Sequence, residues 1–308
     1  MSGNKRAILV FGLAMFALLG FSVGKYFIGD AGAVRIGTKN FTEQIILGEL
    51  LTQLIEAHSQ IPVVQKQNLG GTFVCFQALQ TGDLDLYVEY TGTGLTAILK
   101  QPPMTDPDTV YRLVSEQFKE RWHLLWQEAL GFNNTYAITM RREHARRLGI
   151  EKISDLADHK GDLLPGFNHE FLERPDGYPG LKEHYGFRFE KAPREMDSGL
   201  MYRAIAEKEV DVICGFATDG RIPAFDLVVL EDDKGFFPPY QAAPVIRAEV
   251  LADRPQLAPI LALLANKIDN DTMARMNYQV DEEGQLPSRV ARNFLVEQGL
   301  AGPDAGAF

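Results

Sequence analysis

The sequence predicts an α/β protein of two similar lobes, each built on a mainly parallel sheet and joined by a hinge. Three observations lead there. One segment occurs twice, strands alternate with helices in both halves, and 308 residues is enough chain for two compact lobes.

The repeated segment reads ALQTGDLDLYVEYTGTG at 78–94 and AIAEKEVDVICGFATDG at 204–220. The copies align without a gap, placing Asp85 on Asp211, Tyr90 on Phe216 and Gly94 on Gly220. Upstream, Thr72 falls on Ser198 at the same offset. Each copy reads as the tail of an amphipathic helix, an acidic turn and a buried strand (84–88 and 210–214), followed by an aromatic residue in a polar turn. Ligands of such lobes bind beyond the C-terminal ends of the strands.

The flanking elements follow in order. A strand at 34–37 leads to a helix in which Asn40 and Glu43 stand at capping-box spacing, and a second strand follows at 63–66. The helix expected over 106–121 carries Val110, Leu113, Val114 and Phe118 at helical spacing, with strand-like stretches near 124 and at 136–140. The second of these is a candidate crossing between lobes. The other half repeats the plan with a strand at 163–166, a helix to about 185 and a strand at 188–191. A return crossing at 244–247 leads to helices at 256–267, 271–279 and 288–297 that complete the first lobe. The division is therefore 34–135 for the first lobe, 136–243 for the second and 244–308 for the return.

Residues 1–33 are set apart. Lys5 and Arg6 precede an apolar run at 7–23, which is either an export signal, with Ala31 and Ala33 as an A-x-A site releasing a chain that starts at Val34, or an uncleaved membrane anchor. The positive flank puts the remainder outside the cytoplasm in both cases, so the expected location is periplasmic or extracytoplasmic. No cysteine lies nearby to carry a lipid. The net charge of −10 argues against nucleic-acid binding. Cys75 and Cys214, each in an apolar stretch, read as buried free thiols. The histidines show no paired ligand spacing, and the G-x-S-x-G, P-loop and GxGxxG patterns are missing, so neither a metal site, a cofactor nor an enzymatic reaction is expected.

Six ordered stretches carry a resemblance: GTKNFTEQ (37–44), GDLDLYVEYTGT (82–93), GFNNTYAI (131–138), EFLERPDGYPGL (170–181), FATDGRI (216–222) and DDKGFFPPYQAAPVIR (232–247). Together they resemble the substrate-binding proteins of ABC importers for glycine betaine, choline and related osmoprotectants. The resemblance implies a type II periplasmic-binding-protein fold, a monomer, and a permease in the inner membrane as partner. It also implies an aromatic cage, at Tyr90, Tyr136, Phe216 and Tyr240, around a quaternary ammonium group. Such a group has charge but no N–H donor, so the negative faces of rings hold it. Where that family commonly has Tyr, this chain has Phe216. For a ligand carboxylate the resemblance suggests Lys39, Thr72 and Arg174, with Gln44 as a weaker candidate. Carnitine, ergothioneine or an amino acid are alternative solutes, and a sensor or enzyme on the same fold is a further alternative. By residue type alone, Lys39 is a helix-start surface lysine, Thr72 an N-cap, Arg174 a surface charge at a turn, and Asp219 a turn residue.

Overall fold

The computed structural model describes residues 32–302, so the apolar run at 7–23 lies outside the described residues. Two five-stranded sheets form, each flanked by helices. The first has the order β2-β1-β3-β10-β4, from Val63–Lys66 (β2), Val34–Gly37 (β1), Leu86–Tyr90 (β3), Ala242–Arg247 (β10) and Leu124–Trp126 (β4). The second has the order β7-β6-β8-β5-β9, from Arg194–Glu195 (β7), Pro165–Phe167 (β6), Val212–Phe216 (β8), Tyr136–Arg141 (β5) and Leu227–Val229 (β9).

The sheets are mixed in a regular way. In each, three neighbouring strands pair in parallel, and the strand arriving from the other half of the chain is antiparallel to both its neighbours. The crossing strands β5 and β10 therefore introduce the antiparallel pairings.

Period-two alternation sends Leu86, Val88 and Tyr90 of β3 to one face of the first sheet and Tyr87 to the other. On the first face lies the helix Thr42–His58, whose Ile46, Leu47, Leu50, Leu51 and Leu54 are buried at helical spacing. Each such side chain contributes about 1.5–3 kcal/mol on leaving water. The C-terminal helix Pro287–Glu297 packs on that helix through Val290, Ala291, Phe294 and Leu295. On the other face, Val110, Val114 and Phe118 of Pro107–Trp122 cover Tyr87, Leu124 and Trp126.

Several local expectations need correcting. Both twinned strands begin two residues later than the alternation suggests, because Asp85 and Asp211 cap the loops before them. Asp85 accepts from the Arg35 backbone N–H and guanidinium, and Asp211 from Leu164 N–H and the Arg141 guanidinium. Tyr90 and Phe216 are consequently the last residues of their strands.

The Asn40–Glu43 spacing makes no capping box: Phe41 is the N-cap and Glu43 turns into the interior. Residues 188–191 form no strand. Phe187 and Phe189 are buried there, so the alternation reports core contact rather than pairing. The helix expected up to 185 is two helices, His169–Glu173 and Tyr178–Tyr185, broken at Arg174-Pro175-Asp176-Gly177, where Pro175 has no N–H to continue the ladder.

Candidate functional site

A cavity of about 570 Å³ lies between residues of the two sheets, and the rings of Phe41, Tyr90, Tyr136, Phe216 and Tyr240 cluster in its lining, with Phe73 also on its wall. The backbone register brings them together. Tyr90 ends β3 opposite Ala242, Phe216 ends β8 opposite Tyr136, and Tyr240 stands two residues before β10. Phe41 enters from the N-cap of Thr42–His58, with its ring 5.5 Å from Phe216 and 6.4 Å from Tyr90. Tyr136 stacks on Phe216 at 5.6 Å and meets the Tyr240 ring edge-on at 5.9 Å. The rings thus form a continuous wall from Tyr90 to Tyr240. Burial pushes the Tyr90, Tyr136 and Tyr240 hydroxyls well above the usual phenol range, so all three are neutral.

One end of the cavity is charged. The Lys39 ammonium is buried and donates to Glu89 at 2.6 Å and to the Thr72 hydroxyl at 2.9 Å, 5.2 Å from the centre of the Tyr90 ring. The Arg174 guanidinium makes a two-point pair with Asp176 (2.9 and 2.5 Å), donates to Thr93 at 3.0 Å, and lies 5.6 Å from the centre of the Tyr136 ring. Burial raises the Asp176 carboxyl, but Arg174, with the Tyr240 hydroxyl donating at 2.6 Å, holds it below the usual carboxylate range.

Of the residues anticipated from sequence, Lys39, Tyr90, Tyr136, Arg174, Phe216 and Tyr240 line the cavity. Thr72 and Gln44 lie behind that surface. Thr72 is the first helical residue of Thr72–Thr81, with Gly71 as the N-cap. Gln44 donates to the Tyr90 hydroxyl and to the Val88 carbonyl, which fixes the Tyr90 ring. Lys39 and Arg174 are 2% and 3% exposed, so the surface-charge readings of both fail. Asp219 pairs with Arg221, as a turn residue should.

Sequence reasoning missed Phe41, Glu43, Thr93, Asn134, Glu170 and Asp176. Glu43 is fully buried and accepts from Tyr90, Asn134, Thr218 and Asn277. Burial raises its carboxyl, and those four donors only partly offset it. All six stand inside the quoted stretches. Their signal was adjacency to named residues.

The family model for the substrate-binding domain of ABC-type glycine betaine transport systems matches residues 32–297. The chain belongs to this family. It is 41% identical over 266 residues to the ergothioneine transport permease/ergothioneine binding protein EgtU of Helicobacter pylori, covering 86% of this chain and 47% of that one. It is thus about half the length of that relative. The glycine-betaine-binding protein of Pseudomonas aeruginosa is 38% identical, covering 89% of this chain and 90% of its own length. The carnitine transport binding protein OpuCC of Listeria monocytogenes is 36% identical, with 85% of each chain covered. Among solved structures, a glycine betaine/carnitine/choline ABC transporter protein superposes with a TM-score of 0.72 at 38% identity, over 87% of this chain and 99% of that one. The protein is therefore a substrate-binding component of ABC importers, a class that works outside the cytoplasm with a permease as partner.

Proposed function

We propose that the cavity receives a small solute carrying a trimethylammonium group, such as glycine betaine, choline, carnitine or ergothioneine, and that the protein hands it unchanged to an inner-membrane permease. The observation that carries this reading is the wall of neutral rings ending at two buried, paired cations. Tyr90, Tyr136, Phe216 and Tyr240, joined by Phe41, offer ring faces to the ammonium, each contact contributing roughly 0.5–2 kcal/mol once desolvated. Arg174, Lys39 and Thr72 stand where the solute's polar end would lie, and Gln44 acts through Tyr90.

The chain passes between the sheets twice, from β4 to β5 and from β9 to β10. These two passages serve as the hinge, and a solute that touches both lobes favours the closed form by its differential affinity. No group in the wall is arranged as a nucleophile with an adjacent base, which supports binding without catalysis. Export by the N-terminal segment puts the protein outside the cytoplasm; retained as an anchor, that segment would hold it near its permease, whereas a cleaved form would diffuse in the periplasm.

The size of the cavity favours a second, narrower reading. Its 570 Å³ exceeds what a molecule as small as glycine betaine fills, which leaves room for a bulkier solute such as ergothioneine. Calorimetric titration of the purified protein with glycine betaine, choline, carnitine and ergothioneine tests both. Binding of one or more is expected, and binding of none would overturn the cage.

A further inference from the structure

We propose that Glu170 is the protein's own anion, held where a solute carboxylate would be received, and that it sets the preference between solutes with and without a carboxylate. This rests on the ammonium cage proposed above.

Glu170 belongs to the helix His169–Glu173 beside the second sheet, yet its carboxylate crosses the cavity to the first. There it accepts from the Thr72 backbone N–H at 2.5 Å and the Thr72 hydroxyl at 3.3 Å, and Arg174 donates to it at 3.3 Å. Thr72 opens the helix Thr72–Thr81, and its N-cap Gly71 has no side chain to satisfy that first N–H. A Cβ on Gly71 would lie 2.1 Å from the Glu170 oxygen, so the glycine leaves the room that Glu170 uses. Thr72 and Arg174 are the groups that suit a ligand carboxylate, and Glu170 already occupies both.

The balance of charge points the same way. Lys39 and Arg174 face three carboxylates, Glu89, Asp176 and Glu170, so this end of the cavity is negative by one charge. The three carboxylates are not equivalent. Glu89 and Asp176 are completely buried, whereas the Glu170 side chain is 27% exposed. Glu170 alone of the three can swing to water without crossing protein. Burial raises its carboxyl, but Lys39, Arg174 and the Thr72 donors outweigh burial and keep it ionised.

A solute with a carboxylate must therefore displace Glu170 and take over its bonds, including the bond to Thr72 across the cavity. A cation without a carboxylate leaves Glu170 in place and gains an additional negative neighbour. The test is calorimetric titration of the wild type, Glu170→Gln and Glu170→Ala with glycine betaine and with choline, with circular dichroism to verify folding. Hydrogen bonds to a charged group contribute about 1.5–3 kcal/mol, so removing the competitor should tighten glycine betaine on the order of tenfold or more. Choline should weaken in the same variants. A ratio of the two dissociation constants that does not move, or loss of glycine betaine binding with choline retained, would overturn the proposal. If the wild type binds none of glycine betaine, choline, carnitine and ergothioneine, the cage reading itself fails, and this proposal falls with it.

Discussion

The Lys39–Glu89 pair gives the most demanding prediction. The two groups are 2.6 Å apart, with side-chain exposures of 2% and 0%. Glu89 also accepts from the Tyr87 hydroxyl at 3.0 Å and from the Tyr90 N–H at 2.8 Å. Glu89→Gln keeps the shape and removes the charge, leaving the buried ammonium with an amide oxygen, the Thr72 hydroxyl, the Tyr90 ring face and the more distant Glu170 carboxylate. Stranding one partner of a buried pair costs about 3–5 kcal/mol. The Tyr90 ring 5.2 Å away offsets up to about 2 kcal/mol of that cost, so the lower end is expected.

The measurement is equilibrium unfolding in guanidinium, where the midpoint should fall by the equivalent of about 3 kcal/mol at an unchanged slope. The double variant Lys39→Met with Glu89→Leu removes both charges, and should come back to within about 2 kcal/mol of the wild type or exceed it. A Glu89→Gln loss below about 1 kcal/mol would refute the reasoning, because a surface pair behaves that way.

Tyr136→Ala and Tyr240→Ala should each weaken binding of the quaternary ammonium by roughly tenfold or more in calorimetry; unchanged affinity in both would misplace the cage. Gly177→Ala puts a methyl 2.2 Å from the Phe171 carbonyl oxygen, so the turn holding Arg174 must shift. A loss of about 1–3 kcal/mol in urea melts is expected, with weaker solute binding. The Asp176 carboxyl is held below the usual range in the folded state, so its contribution to stability is complete above the ordinary aspartate value and is lost as pH falls through the folded value. Asp176→Asn should accordingly flatten the decline in unfolding free energy on acidification below about pH 4. Burial pushes the Cys75 and Cys214 thiols up to about 12, so neither should react with a thiol reagent at pH 8 until denaturant is added.

The two-sheet architecture was legible because the chain uses one local pattern twice, and local patterns are what sequence periodicity records. Tyr90 and Phe216 were found for the same reason: each closes its copy of the repeat. The strand starts were misplaced by two residues because Asp85 and Asp211 bind partners distant in sequence, which periodicity does not encode. Glu43 illustrates the larger gap. Its spacing from Asn40 is that of a capping box, yet its oxygen accepts from Thr218, 175 positions away. The charged end of the cavity was half visible: Lys39, Glu89, Glu170, Arg174 and Asp176 all stand in the recognised stretches, but the pairing of Lys39 with Glu89, 50 positions away, and of Glu170 with Thr72, 98 positions away, arises only in three dimensions.

The two passages between the sheets are fastened to each other at the cavity. Asn133 bridges to Gln241, Tyr240 N–H donates to the Asn133 side chain at 2.5 Å, and Asn134 N–H donates to the Tyr240 carbonyl at 3.1 Å. If the two passages act as the proposed hinge, Tyr240 is part of the pivot as well as of the ring wall. A body rotating about an axis converts a small displacement near that axis into a large one at its edge. On that reading a solute against Tyr240 would work like a wedge in a door hinge, and one more methylene beside that ring would change the angle at which the outer lips meet. The permease could then distinguish solutes by the outline of the protein alone, without touching the molecule inside.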